Sequence, residues 1–208
     1  MLHFETVEPS TLSLLRKIIT IPELKSFSLV GGTALALKFG HRKSIDIDLF
    51  SQEKLEINDI TSLLEKEFGS AFRFERTNVS FALFCEINHV KTDLVHYPHP
   101  ILSPVETEEG IRMFSNMDIA AMKINAILGR GAKKDFWDLA ELLTVYSLEE
   151  IIHFHKKKFP AQMLMISIPA ALTYFEDAEE SEDPVSLKGQ TWEGVKKFIQ
   201  QRVSTYLS

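Results

Sequence analysis

Residues 31–50 read GGTALALKFGHRKSIDIDLF, and the fold turns on how this stretch is divided. The glycines end an apolar run, FSLVGG (27–32), and open a second, TALALKF (33–39), which reads as a strand, a tight turn and a short helix. From Ser44 to Leu49 polar and apolar residues alternate, the pattern of a half-exposed strand. Residues two apart in a strand share a side, so Asp46 and Asp48 are expected to project together while Ile45, Ile47 and Leu49 face a core. Their Cα atoms would lie roughly 7 Å apart. Aspartate is depleted in strands and like charges on one face repel, so the pair asks for a compensating cation. Oxygen donors of this kind suit Mg²⁺ or Mn²⁺. Taken alone, the two residues fit a metal site and a wet strand equally well.

Neighbouring residues bear on that choice. Glycines between a strand and a helix let backbone N–H groups approach an anion at the positive end of the helix, and Thr33 could add a hydroxyl. A phosphate-ready turn followed by two strand carboxylates places anion contacts beside a cation site. A third acid, Asp93 in KTDLVHYP (91–98), follows a hairpin turn and could lie beside the first two. Two-metal phosphoryl transfer calls for several carboxylates, and Asp93 would serve the metal on the attacking side. His96 and His99 follow closely, and both read as structural or surface residues.

Outward from these segments, a helix is expected over Ser10–Ile19 and another over Ile60–Phe68, with extended segments AFRFERT (71–77), VSFALFCEI (79–87) and KTDLVHYP. The last two flank Asn88-His89 and should pair as a hairpin. The chain thus reads as α/β up to Pro104 and as helical from about residue 111. Ser115 with Asp118, and Ser147 with Glu150, have capping-box spacing. Between them KKDFWDLAELLTVY (133–146) forms a helix, and the acidic stretch 176–184 should be a solvated loop before a last helix around TWEGVKKFIQQRV (191–203).

Composition sets the outer bounds. With 208 residues, 45% hydrophobic and 25% charged, the chain can bury a sizeable core. No apolar run approaches the ~20 residues of a membrane helix, and MLHFETVEPS lacks the features of a secretion signal, so a cytoplasmic location is expected. A single cysteine, Cys85 in FALFCEI, excludes an internal disulfide and reads as a buried, inert thiol. The net charge of −6 repels polyanions, so any such contact needs a local basic patch. Arg130 with Lys133 and Lys134, and Lys156 to Lys158, are the clearest, and each also reads as a solvated helix end.

GGTALALKFGHRKSIDIDLF resembles the signature of the DNA polymerase β-type nucleotidyltransferases, and DIAAMKINAILGRGAKKDFWDLAELL (118–143) resembles the second motif of the AbiEii/AbiGii toxin-type nucleotidyltransferases. The ending, FEDAEESEDP with TWEGVKKFI, is similar to that group as well. The resemblance implies an α+β fold: a mixed-sheet nucleotidyltransferase core over 1–110, with a C-terminal helical bundle over 111–208 packed against it and completing the nucleotide site. It implies that Gly31, Gly32 and Thr33 contact the nucleotide phosphates and that Asp46, Asp48 and Asp93 bind metal and act in catalysis, with Lys91 two residues before the third acid. Lys123 would reach the triphosphate, and Arg130, Asp135 and Asp138 match the remainder of the second motif. The same resemblance implies a nucleoside triphosphate substrate, Mg²⁺ as cofactor, RNA or tRNA as acceptor and a cognate antitoxin partner; the acidic charge leaves a protein or small-molecule acceptor open. From the residues alone, Asp138 also fits a buried ion pair tying two helices together, and Lys123, in the apolar AAMKINAIL, is either snorkelling or aimed at phosphates. Two other readings differ in class. A haloacid dehalogenase-type phosphatase would need Thr or Val where Phe50 stands, and a degenerate binding module would not need intact acids at 46, 48 and 93.

Overall fold

A computed structural model describes residues 1–75 and 78–208. The strands are β1 (Ser28–Leu29), β2 (Ile47–Ser51), β3 (Phe72–Phe74), β4 (Ala82–Ile87), β5 (Val90–His96), β6 (Glu106–Glu108) and β7 (Ile111–Met113). Among the described residues they make one seven-stranded mixed sheet in the order β3-β4-β5-β2-β1-β7-β6, with β2 parallel to β5, β1 parallel to β7 and the other neighbours antiparallel. The helices are α1 (Pro9–Thr20), α2 (Gly31–Phe39), α3 (Ile57–Phe68), α4 (Asn116–Gly129), α5 (Lys133–Leu142), α6 (Leu148–Lys158), the short α7 (Ile168–Leu172) and α8 (Glu176–Glu179), and α9 (Trp192–Leu207). The expected α+β class holds. Of the extended segment 71–77, Phe72–Phe74 is strand β3, while residues 76 and 77 lie outside the described residues.

Helix α2 sits at the centre of the site because its sequence leaves it no exposed face: residues Thr33 to Leu37 are all buried. It begins at Gly31, directly off β1, and Gly40 ends it in the left-handed conformation that glycine adopts without strain. Strand β2 carries the alternation in its shortened length, with Ile47 and Leu49 fully buried and Asp48 and Phe50 half-buried on the other face. The strand is shorter than the pattern suggests. Asp46 precedes its first residue, and Ile45 is exposed rather than facing the core. Ser44 is drawn instead into a bridge with Val7.

The β4–β5 hairpin turns at Asn88-His89, both in the left-handed region at φ 51° and 64°, as a two-residue hairpin loop requires. A second hairpin, β6–β7, turns at Glu109-Gly110 and falls where the sequence suggested no strand. The boundary expected at 110/111 therefore lies within this turn, β7 joins the sheet beside β1, and the helices resume only at Asn116. Its three-residue strands are too short to show a period.

Helix α4 packs on α5, α6 and α7 and reaches back to α2, which joins the helices to the sheet. Ser115 caps it by accepting from the Asp118 backbone N–H, and Ser147 with Glu150 forms the full reciprocal box at α6. Helix α5 stops at Leu142, short of the expected Tyr146, where the Thr144 hydroxyl donates to the Glu141 carbonyl. The acidic stretch 176–184 is not wholly a solvated loop: α8 lies within it, Ala178 is buried, and Glu179 accepts from Trp192 Nε1 and Lys196 Nζ. Cys85 is buried, and burial pushes its thiol up to about 12, so it is inert as expected. Among the described residues no helix is long and apolar enough to cross a membrane.

Candidate active site

Between the sheet and α4 lies a cleft of about 660 Å³. Its sheet wall is set by register. Asp48 on β2 pairs with Asp93 on β5, which pairs with Phe84 on β4, so the three side chains form one row across the sheet. Two residues further along, Phe50, Val95 and Ala82 form the next row. Asp46 lines the cleft just before the strand.

The cations near these carboxylates do not offset their burial and mutual repulsion at Asp48 and Asp93. Burial and then the charge of Asp93 push the Asp48 carboxyl above the usual range, with Lys123 pulling it back in part. Burial raises Asp93 as well, more than its ion pair with Lys91 at 3.2 Å lowers it. Asp93 Oδ1 is buried with no hydrogen-bond partner among the described residues. Among the described residues the Asp46 carboxylate pairs with Lys134 alone, at 3.5 Å. No three His, Cys, Asp or Glu side chains among the described residues are drawn tightly enough to hold an ion as they stand. An all-oxygen donor set, an orphaned buried carboxylate oxygen and mutual repulsion nevertheless fit a hard divalent cation.

The glycine pair has two separate tasks. Gly31 sits at φ +70°, and a Cβ there would stand 2.8 Å from Asp48 Oδ2. At Gly32 a Cβ would meet Arg42 Nη2 at 2.1 Å. One glycine thus clears space for the carboxylate and the other for a guanidinium. Among the described residues no side chain caps the first turn of α2, and that turn begins at the cleft wall, which Val30, Gly31 and Gly32 line. The Thr33 hydroxyl is placed otherwise than expected. It is buried, absent from the cleft wall, and engaged with Ser44 Oγ at 2.8 Å and with the Asp46 carbonyl, where it pins the loop that carries Asp46.

Opposite stands a closed ionic network. Lys123 Nζ on α4 reaches Asp135 Oδ1 at 2.9 Å and Asp138 Oδ2 at 2.6 Å on α5. Arg42 clasps Asp138 through Nε at 2.7 Å and Nη2 at 2.9 Å, and His41 Nε2 lies 2.8 Å from Asp138 Oδ1. Burial opposes the Asp138 charge, but Arg42 and Lys123, with the His41 hydrogen bond, outweigh it and hold the carboxyl well below its usual range. Asp138 is therefore the buried tie between helices, joined also to the loop after α2. Arg130, largely exposed, reaches Asp135 Oδ2 at 3.2 Å. His41 and Arg42 gave no signal in the sequence, because their partner lies almost a hundred residues away.

The loop bearing Arg42 is itself clamped. Lys43 N donates to the Val185 carbonyl and Leu187 N to the His41 carbonyl, both at 2.9 Å, with a bridge between Arg42 and Ser186. Of the basic patches, Lys133 is spent on Asp183, and Lys158 is fully buried against Asp118 at 2.7 Å and the Pro100 carbonyl at 2.8 Å, not solvated. Asp118 also accepts from the Leu102 and Ser103 N–H groups. That cluster fixes the loop carrying Tyr97 and His99, and both of these, with His96, line the cleft.

The family profile described as nucleotidyl transferase AbiEii toxin, type IV toxin–antitoxin system, matches residues 13–179. The chain belongs to this family. It is 32% identical over 199 residues to an uncharacterized protein of Aquifex aeolicus (strain VF5), covering 93% of this chain and 94% of the relative. Its fold is similar to that of MenT4, a nucleotidyltransferase toxin of Mycobacterium tuberculosis H37Rv (TM-score 0.63, 12% identity, 93% of this chain and 82% of that one). It is similar also to JHP933 of Helicobacter pylori (TM-score 0.53, 14% identity, 96% and 92%). As an AbiEii member the chain is a nucleotidyltransferase, and the cleft is the candidate place for that chemistry.

Proposed function

We propose that the cleft transfers a nucleoside monophosphate from a triphosphate to an acceptor hydroxyl with the help of Mg²⁺ or Mn²⁺. The observation that carries this reading is the row of Asp48 and Asp93, both carboxyls raised despite nearby cations, set against the start of α2, which no side chain caps. Asp46, Asp48 and Asp93 would hold the divalent ions, which supply positive charge to the triphosphate and acidify the attacking hydroxyl. The N–H groups at Gly31 and Gly32 would receive phosphate oxygens. Lys123, Arg130 and Lys134, with Asp135 orienting the first two, supply the positive field that offsets charge developing on the phosphates. Asp93, its carboxyl raised by burial, is suited to take the proton of the acceptor hydroxyl. The acceptor oxygen bonds to the α-phosphorus as the bond to the bridging oxygen breaks, and pyrophosphate leaves. Thr33 serves indirectly, by fixing Asp46.

The reading extends to RNA, including tRNA, as the acceptor, with a protein hydroxyl as the alternative. It further includes a toxin role under a cognate antitoxin, in the cytoplasm. The core over 1–110 and the helical part over 111–208 would share the site. The test is incubation with each α-labelled triphosphate, Mg²⁺ and either total RNA or a protein extract, beside an Asp46→Ala/Asp48→Ala variant. Label should pass to one acceptor class with the wild type only. Transfer that survives in the variant would overturn the assignment.

A further inference from the structure

The cleft has two chemically distinct ends. Around Asp46, Asp48 and Lys123 it is ionic. One two-residue strand step beyond Asp48 and Asp93, about 7 Å, the wall becomes Phe50 and Val95, and Tyr97 follows just past the end of β5. Phe50 and Tyr97 lie ring to ring at 5.0 Å, Tyr97 and His99 at 4.6 Å, and His99 and Phe159 at 4.8 Å. Across the cleft, α4 contributes Ile119, Met122 and Asn125. Such an apolar chamber with a few polar atoms, separated from the ionic end by a ribose-sized stretch, has the character of a base-binding pocket.

We infer that this aromatic end seats the nucleobase of the donor triphosphate and that Asn125, braced by Gln162, selects it. The inference rests on the proposed transferase reading and adds the base preference. Gln162 is tied to the ring stack, because its N–H donates to the Phe159 carbonyl at 3.1 Å. Its side-chain Nε2 donates to Asn125 Oδ1 at 2.8 Å. With its oxygen so engaged, Asn125, which lines the cleft, has its amide N–H donors left for a ligand. A donor reads a carbonyl oxygen. Uracil, cytosine and guanine each present a carbonyl oxygen that projects from the ring, whereas adenine offers only acceptors set within its rings, farther from a donor placed to meet a carbonyl, so ATP is the disfavoured triphosphate. His99 also presents a polar ring here, beside His96 and the Tyr97 hydroxyl. Burial first, and then the charge of Lys158, lower the His99 pKa, so it stands neutral at pH 7 and adds no charge preference among bases.

Binding constants for the four triphosphates, measured in Mg²⁺ with wild type, Asn125→Asp and Gln162→Ala, test this without needing the acceptor. A thermal melt of each variant confirms folding, and Asn125→Ser provides a second, smaller substitution. ATP should bind wild type at least tenfold more weakly than the preferred triphosphate, in line with the ~10²-fold or more that a site built around one hydrogen bond can discriminate. Asn125→Asp should abolish that ratio by turning a donor into an acceptor, and Gln162→Ala should reduce it. Equal affinity for all four, or a ratio unchanged in both variants, would overturn the inference. Selective binding that depends on Asn125 without any transfer would uphold it and overturn the transferase mechanism instead. Binding of no triphosphate at all would overturn both.

Discussion

Two sets of charged groups face each other across the cleft, and they are built on opposite principles. The network of Lys123, Asp135, Asp138, Arg42 and His41 is closed: each acid has more than one cationic or N–H partner, and Asp138 is held well below the ordinary carboxylate range. The row of Asp48 and Asp93 with Asp46 is open, its two strand carboxyls raised and one buried oxygen without a partner among the described residues. The first set stabilises the chain as it stands. The second costs stability as it stands, which marks it as the part shaped by chemistry rather than by folding.

The sharpest way to break this contrast is to remove one charge from each side. Asp48→Asn should cost several kcal/mol of transition-state stabilisation, on the order of 10³-fold in transfer rate, while leaving the fold intact. Asp138→Ala should do the reverse in kind. It strands the buried Arg42 and Lys123 and should destabilise by about 3–5 kcal/mol, seen as an early denaturant midpoint. A stable Asp138→Ala protein would mean that the closed network is not structural.

The glycines divide the same way. Gly32→Ala drives a methyl into Arg42 Nη2 and should cost about 1–3 kcal/mol by overpacking the closed side. Gly31→Ala presses on Asp48 and forces a left-handed backbone on alanine. Its main effect should be weaker Mg²⁺-dependent triphosphate binding.

The smallest effect concerns pH and metal. A carboxyl whose folded pKa is raised favours the folded state at low pH and loses that contribution as pH rises from the unfolded value through the folded one. In metal-free protein, Asp48→Asn should therefore raise Tm at pH 7 by about 2 °C, the shift expected of a ~1 kcal/mol change in a chain this size. The gain should vanish as pH falls below the carboxylate range. Asp138 runs oppositely: its stabilisation is full at neutral pH and is lost as pH falls through its depressed pKa. Added Mg²⁺ should raise the wild-type Tm and leave Asp48→Asn unmoved, and equal shifts in both would contradict the open row.

How much of this could be read from the chain depends on range. Caps, the Asn88-His89 turn and the Ile47-Asp48-Leu49 alternation are written by residues within a few positions of one another, and they stand where the pattern put them. Ile45 continues the same alternation yet lies exposed, because pairing with β5 starts only at Ile47. Thr33 read as a phosphate donor, but its hydroxyl is drawn to a backbone carbonyl that only the folded loop supplies. Lys158 looked like one of three solvated lysines, and only the tertiary placement of Asp118, forty residues earlier, explains its burial. The roles of Arg42 and His41 are likewise set by Asp138, far along the chain.

The strand-like contact of residues 185–187 with the loop at 41–43 has a consequence in time. A ribosome delivers the α2 loop early and the segment that clamps it late, and chains acquire structure from the N-terminus as they emerge. Arg42 cannot be fully braced until residues 185–187 have been made, well over a hundred residues after the loop they clamp. The cleft wall that Arg42 completes is therefore the last part of the site to be fixed as the chain is synthesised.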